Sequence, residues 1–527
     1  MKKLIALCLA LSMVLLVGVG AVQAQSEAPA RLNVGLSRTP LALNVWTHND
    51  MTASIIMDLV IPHPVQVTPD GKKYPYIAES VTSNDTATEF TVTLKEGLTW
   101  SDGVPMTAED LKFTVEYCLA HSLSYVPSMY GAVESMDVVD DRTIVYHLSA
   151  PNVNFFNSAG YWVSIMPKRE FEGVSDPMEH TYSGIGYGPY YVAEYVMGEY
   201  VFLKKNPYFT LADSGYVDEI VFRIYNDENA MVLALKNGEV DCSAIMMSVA
   251  AQNQFTGSPD FSMLSSQSLG YSFLTASQKV PLLTDVTVRK ALAMTVDRDA
   301  LCVVGYQGGA VPMQTPISPV WKDFVQSNQQ QPAFDPDGAA ALLEAAGYVD
   351  ANGDGIREKD GQPLSFALTY SNADSNNVDA VVEILRANAL LAGIEIRLAP
   401  VDTTAFTANV TAGHTYELSY QMWGTIDDVD TLLHVVYGIG QPLNYMEYNN
   451  EEMDALLLAA MSNPVYEERI KIIDEWQKLF VENLPSINLF VATNTYVVNS
   501  AKFEGWSIVP GNYGPLSVGV FTGVRAK

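Results

Sequence analysis

Cysteine is scarce in this chain, with four among 527 residues, and one of them, Cys8, lies inside an apolar stretch at the N-terminus. The other three, Cys118, Cys242 and Cys302, are odd in number and far apart, which gives neither a disulfide framework nor a zinc pattern. Each reads as a small buried hydrophobe. Basic residues are few as well, 30 against 60 acidic, for a net charge of −30. That balance disfavours binding to a phosphate backbone, so no nucleic-acid partner is expected; the acidity keeps a secreted chain soluble and says nothing about the charge of a ligand. Enzyme motifs are missing too: no Gly-x-Ser-x-Gly elbow, no His-Glu-x-x-His helix and no Walker loop. The seven histidines, among them His48, His63, His414 and His434, show no paired metal spacing. The adjacent acids Asp427 and Asp428 lack the opposed placement of a glycosidase pair. A non-enzyme is therefore expected, with a secreted hydrolase as the rival from another class. Internal repeats and low-complexity linkers are absent, which points to interwoven compact lobes rather than beads on a string.

What is present begins with MKKLIALCLALSMVLLVGVGAVQAQ, two lysines ahead of an apolar run that ends in small residues at Ala21-Val22-Gln23-Ala24. This reads as a secretory signal over 1–24, cleaved after Ala24. Cys8 lies too early to carry a lipid at the cleavage point. Beyond the signal no apolar stretch is long enough to span a bilayer, so the expected location is the periplasm or the extracellular space, with no lipid anchor and no transmembrane segment in the mature chain.

The length calls for two or three domains, since single cores rarely grow past about 250–300 residues. Leu32 to Leu36 reads as a strand, and Thr52 to Leu59 as a helix after an intervening loop. Phe90, Val92 and Leu94 alternate with threonines as in a half-buried strand, with turns at Gly97 and Asp102-Gly103. Thr107 suits an N-cap, Glu109 and Asp110 suit the first turn, and Leu111, Val115 and Leu119 repeat along one helical face. Further on, a helix from Pro336 to Ala346 ends at Gly347. Strand Leu364 to Tyr370, helix Asn377 to Ala392, strand Ile394 to Leu398, a short helix after Asp402 and strand Tyr416 to Met422 make a β-α-β-α-β order, implying a largely parallel sheet. Helices Glu451 to Met461 and Pro464 to Leu484 precede a last strand, Ile487 to Val491.

The run GLTWSDGVPMTAEDLKFTVEY resembles the motif of the family 5 bacterial extracellular solute-binding proteins, the dipeptide, oligopeptide and nickel-complex receptors of ABC importers. GYGPYYVAEY, VTVRKALAMTVDRDAL, FDPDGAAALLEAAGY, EEMDALLLAAM with RIKIIDEWQKLF, and LPSINLF follow in the family's order and cover nearly the whole mature chain. The resemblance implies an α/β, periplasmic-binding-protein-like fold of two lobes with a two-strand hinge, a ligand cleft between them and an extra third domain. On this chain the first lobe would take 31–63, 182–270 and 485–527, the extra β-rich domain 64–181, and the second lobe 271–484. The implied role is capture of short peptides outside the cytoplasmic membrane and delivery to an ABC permease with its ATPase subunits, by a monomer. An oligosaccharide or a metal chelate remains the alternative ligand.

Ligands of open α/β sheets bind beyond the carboxyl ends of strands. The strand ending at Met422 delivers Trp423, Gly424, Asp427 and Asp428, with Tyr420 just before them. Similar peptide receptors place an amine-binding aspartate three residues after the tryptophan; Ile426 holds that offset here, and Asp427, one residue later, is the candidate. Capping of the next helix is the competing role for these acids, with Asp430 as the expected N-cap. On the facing lobe Asn44, Trp46 and Asn49 occupy the loop after the first strand. Tyr187 and Gly188 match the family's Gly-x-Gly-Pro-aromatic cleft loop, and Tyr271 lies near the inferred hinge. Ordinary loop packing competes with ligand contact at these positions.

Asp350, Asn352 and Asp354 alternate before Gly355 as in the first half of a calcium loop, with Ile356 offering its carbonyl. Gly361 stands where a bidentate glutamate belongs, which leaves Glu358 or Asp360 to close the shell. This reads first as a structural loop. No cofactor is expected beyond a structural calcium there.

Overall fold

The computed structural model describes residues 29–527 apart from 49, 124–125, 214, 226, 326–328, 373–377, 424–427, 442 and 512. The signal segment, Asn49, Gly424 and Asp427 therefore lie outside the described residues.

Leu32, Val34 and Leu36 are fully buried in the strand Arg31–Leu36, which pairs in parallel with Glu219–Ile224 on one side and Cys242–Ser243 on the other. Its opposite face is closed at the carboxyl end: a Cβ on Gly35 would stand 2.7 Å from Met231 in the helix Glu228–Lys236. Burial on both faces is the condition under which parallel strands are stable. In the second half of the chain, Ser365–Ser371 pairs in parallel with both Glu395–Val401 and Leu418–Met422. The helix Val378–Leu391 connects the first two, turning Val381, Val382 and Leu385 into the core at helical spacing, so the β-α-β-α-β order expected from the sequence is the one observed.

A separate four-stranded antiparallel sheet is ordered Ala78–Ser83, Glu89–Leu94, Thr143–Leu148, Val133–Asp140. Phe90, Val92 and Leu94 face inward, with Val92 opposite Ile144 and Phe90 opposite Tyr146. The helix Ala108–Ala120 begins where Thr107 N donates to Asp110 Oδ2 at 3.0 Å. Leu111 and Val115 are buried beneath it. This β-rich part shares one hydrophobic core with the strand Arg31–Leu36, whereas Leu274, Leu368, Leu418 and Phe490 belong to a second core. A third core lies under the helices Val429–Tyr437, Glu451–Ser462 and Tyr466–Asn483, centred on Trp476 and Phe480.

The strand Ser486–Asn499 joins the two halves of one twelve-stranded sheet. It runs well past the expected end at Val491, because the polar residues that follow the apolar run are satisfied in place: Asn494 Nδ2 donates to Gly511 O at 3.0 Å, and the hydroxyls of Thr495 and Ser265 lie 2.8 Å apart. Ile487, Leu489 and Phe490 pack in the second core and Val498 in the first. Phe261–Gln267 and Ser272–Ala276 pair with it in turn, Gln267 opposite Thr493 and Ser272 opposite Phe490. The chain thus crosses between the cores twice, side by side, as a two-stranded hinge.

Two arginines from the run VTVRKALAMTVDRDAL hold this frame. Arg289, buried, donates to the carbonyls of Leu283, Thr284, Asn483 and Leu484. Two of those acceptors are the last carbonyls of the helix Tyr466–Asn483, where Leu484 adopts a left-handed conformation at φ +46. Arg298 donates to the carbonyls of Met313, Asn488 and Pro332, and burial lowers its guanidinium to about 10. Cys118, Cys242 and Cys302 are free and buried, the setting expected of small hydrophobes.

Candidate functional site

Because Arg31–Leu36, Glu219–Ile224 and Cys242–Ser243 run in parallel, their carboxyl ends share one edge, and the segments that follow them converge there. A cavity of about 540 Å3 opens at that edge. Ser37, Arg38, Glu228, Met246 and Ser248 form its first-lobe wall; Tyr306, Gln307 and Gly309 come from the other side, and Ala492 and Thr493 of the hinge strand form its back. Glu228 pins the wall: its carboxylate accepts from Ser248 N at 2.7 Å and from Ser248 Oγ at 2.6 Å.

Met51 lines this cavity and also a smaller one of about 170 Å3 that contains Trp46, His48, Asp50, Trp162 and Tyr513, so the two are parts of one cleft wall. Asp50 is fixed by capping: Oδ1 accepts from Thr52 N at 2.9 Å and Oδ2 from Leu41 N at 2.5 Å. A third cavity, of about 570 Å3, separates the β-rich domain from the second lobe, with Lys72, Asn154 and Asn157 on one side and Trp321, Asp428, Tyr466 and Arg469 on the other.

The residues singled out in the sequence take varied positions. Trp46 is 2% exposed, edge-on to Phe171 and Tyr182, with Nε1 donating to Ser164 O at 2.8 Å; it backs the small cavity. Asn44 is buried beside it and accepts from Trp46 N at 3.3 Å. Trp423 is half-buried, its backbone N–H donating to Tyr271 O at 2.9 Å and its ring stacked on Phe273 at 5.8 Å between centroids. Tyr187, Gly188, Tyr271 and Tyr420 line none of the three cavities. The Tyr187 hydroxyl donates to Pro62 O, and Gly188 N donates to Val60 O at 2.8 Å. A Cβ on Gly188 would stand 2.6 Å from Leu59 O, so the glycine serves close packing of this loop on the segment 59–62. Tyr420 OH reaches Ser272 Oγ at 3.1 Å, and the hydroxyls of Tyr271 and Tyr437 lie 3.4 Å apart.

One capping assignment needs correction. Asp428, not Asp430, caps the helix Val429–Tyr437, accepting from Asp430 N at 3.1 Å and Thr431 N at 3.4 Å. Asp430, in the first turn, is 1% exposed and 3.2 Å from the Arg469 guanidinium. Burial, reinforced by the neighbouring Asp428, pushes its carboxyl up to about 7 against the pull of Arg469 and Asn154. In the loop 350–358 the carboxylate of Asp350 accepts from the amides of Gly353, Asp354 and Gly355, Asp354 from Ile356, and Glu358 from Ala351. Asn352 Oδ1 accepts from Asp354 N at 2.8 Å. Among the described residues no group of three or more His, Cys, Asp or Glu is arranged to hold a metal ion.

Sequence reasoning missed Arg38, Met51, Tyr306 and the pair Asn154 and Arg469. The rule about carboxyl ends of strands would have found Arg38, two residues past the end of the first strand, had it been applied there as it was to Met422.

A profile described as the bacterial extracellular solute-binding proteins, family 5 (middle), matches residues 72–441. The chain belongs to this family. A curated relative of this family 5 protein, the oligopeptide-binding protein AppA of Bacillus subtilis (strain 168), is 26% identical over 449 residues, 82% of this chain and 81% of the relative. The solved structure of Bacillus subtilis AppA in complex with a nonapeptide superposes with a TM-score of 0.75 at 22% identity, covering 95% of this chain and 100% of that one. NikZ from Campylobacter jejuni in complex with Ni(L-His) gives 0.76 at 22% identity, covering 94% and 99%. At these identities the solved structures establish the shared fold: α/β, two-lobed and periplasmic-binding-protein-like. No described helix is long and apolar enough to cross a membrane.

Proposed function

We propose that this family 5 protein is the exported receptor of an ABC importer, capturing short peptides and presenting them to a permease driven by its ATPase subunits. The observation that carries the reading is the cavity at the hinge, walled by the carboxyl ends of the first-lobe strands and closed from the second lobe, in a chain whose curated relative is named an oligopeptide-binding protein. A ligand held there touches both lobes. It stabilises the closed form by the difference between its affinities for closed and open states, and the closed form is what the permease recognises. In this scheme the segments 31–63, 182–270 and 485–527 form the first lobe, 64–181 the extra β-rich domain and 271–484 the second lobe, the signal 1–24 directs export and is removed, and the mature monomer performs no covalent chemistry.

The test is thermal unfolding of the mature protein against short peptides, oligosaccharides and metal chelates, followed by calorimetry on each hit. A ligand at about 100 times its dissociation constant adds about 2.7 kcal/mol to stability. Peptide hits lost in Asp427→Asn support the peptide reading and the amine-binding role of Asp427. Hits confined to sugars or chelates retain the receptor and discard the peptide.

A further inference from the structure

The β-rich domain shares its core with the strand Arg31–Leu36, whereas the helices Val429–Tyr437 and Tyr466–Asn483 pack on a core of their own. Asn154 is therefore carried by the first body, and Asp428, Asp430 and Arg469 by the second. A rotation of the second lobe about the two hinge strands parts the amide of Asn154 from all three.

Two carboxylates converge on that one amide: Asn154 Nδ2 donates to Asp428 Oδ1 at 3.1 Å and to Asp430 Oδ2 at 3.4 Å. A single guanidinium stands beside them, Arg469 Nη1 lying 3.2 Å from Asp430 Oδ2. Two acids and one base are thus enclosed together. Asp430 is 1% exposed, and while its Oδ2 has both of these donors, its Oδ1 is buried and has no hydrogen-bond partner. An ionised carboxylate with one oxygen bare and shut off from water is costly. A proton on Oδ1 removes that cost and leaves Oδ2 to its donors.

The other charged groups around this cavity are engaged elsewhere or exposed. On the β-rich side Lys72 pairs with Asp70 at 3.4 Å, and Lys73 lies over the Tyr161 ring at 5.0 Å. From the second lobe Lys322 is exposed, and Asp323 accepts from the Tyr466 hydroxyl at 3.1 Å. His434, one turn beyond Asp430 on its own helix, is 3.7 Å from Asp454. Burial, then the charge of Asp428, accordingly raises the Asp430 carboxyl to about 7.

We propose that closing the cleft takes up one proton, on Oδ1 of Asp430, so that the closed form and ligand capture with it are favoured as the medium acidifies. In the open form Asn154 withdraws, water reaches both acids, and Asp430 gives the proton back to solvent. The inference rests on the lobe-closure part of the receptor reading and adds a proton-linked control to it, whatever the ligand.

The experiment reads closure without ligand. Dyes for energy transfer are placed on Asp85→Cys in the β-rich domain and Glu452→Cys in the second lobe, both exposed positions, in a chain whose Cys118, Cys242 and Cys302 are buried. Transfer is followed against pH in otherwise wild-type protein, in Asp430→Asn and in Asp323→Asn. With one proton held near 7 in the closed form, the closed-to-open ratio of wild type should rise about tenfold between about pH 8 and pH 6. Asp430→Asn should be closed to the same degree throughout, and Asp323→Asn, which alters an exposed acid of the same cavity, should follow wild type. A wild-type signal that does not change with pH, or an Asp430→Asn signal that changes as wild type does, overturns the proton linkage and leaves the receptor standing. Calorimetry with trialanine gives the second readout: binding about tenfold tighter at the lower pH in wild type and not in Asp430→Asn supports the linkage, and binding equally tight at both overturns it. If trialanine binds neither protein, the peptide reading loses support while the distance signal still decides this inference.

Discussion

Arg469 donates from Nη1 to Oδ1 of Asn154 at 2.7 Å, joining residues 315 positions apart across the gap between the β-rich domain and the second lobe. From its amide nitrogen Asn154 donates in turn to Asp428 Oδ1 at 3.1 Å and Asp430 Oδ2 at 3.4 Å. A backbone bond from Val153 N to Met461 O at 3.0 Å lies alongside. Asp428 thus takes part both in the cap of the helix Val429–Tyr437 and in the contact between domains.

Asn154→Ala should therefore weaken ligand binding by about tenfold while leaving the fold intact, because it removes hydrogen bonds to charged partners that join the β-rich domain to the second lobe, each worth roughly 1.5–3 kcal/mol at most. Calorimetry with a ligand from the screen reads the affinity, and small-angle scattering reads the closed fraction. An unchanged affinity would show that the domain contact plays no part in closure.

Asp430 gives a dependence on pH with a definite sign. Burial, then the charge of Asp428, holds its carboxyl near 7 in the folded protein against 3.8 for the ordinary side chain. The native state binds that proton more tightly than the unfolded state, so the contribution to stability is fully present below about pH 4 and lost as pH rises through about 7. Relative to Asp430→Asn, wild type should lose melting temperature steadily between pH 4 and 7. Parallel curves for the two proteins across that range would mean that Arg469 neutralises Asp430 completely.

Arg289→Met removes the donors that the carbonyls of buried Leu283 and Leu484, half-buried Asn483 and exposed Thr284 share. Stranded acceptors of this kind cost about 1–3 kcal/mol each when water cannot reach them, and a total loss of about 3 kcal/mol is expected by urea unfolding. A loss under 1 kcal/mol would show that water replaces the guanidinium.

In the loop 350–358, Asp350→Ala frees three amides and should lower the melting temperature, at a cost of about 1–2 kcal/mol. Repeating the scan in chelator and in millimolar calcium adds a second readout. A midpoint raised by calcium in wild type and not in the variant would show that a cation shares the same oxygens.

Local chemistry made much of the fold legible. Thr107 with Asp110, and the 3.6-residue spacing of Leu111 and Val115, specify their helix by interactions within a few positions of one another. The same is true of Phe90, Val92 and Leu94, whose alternation fixes which side of the strand is buried. Misreadings arose where neighbours compete for one role: Asp428 and Asp430 both suit an N-cap, and in the fold Asp428 takes it while Asp430 turns to Arg469. The aromatic residues Tyr187, Tyr271 and Tyr420 gave a mixed signal for a different reason, since a tyrosine with a buried ring and a satisfied hydroxyl has the same sequence appearance as one lining a cleft. Asn154 and Arg469 carry no local pattern at all; their pairing follows from the packing of separate domains, which no periodicity encodes.

The hinge strand Ser486–Asn499 is one continuous strand whose first residues complete one core and whose last complete another. Neither half of the protein owns it. Division of the gene ahead of position 486 would leave a long fragment in which both cores lack this strand and a short one of the last 42 residues, so complementation from the separately expressed fragments should fail. A reporter domain meant to sense closure is better grafted into the tip of the β-rich domain, where an insertion leaves that shared strand intact.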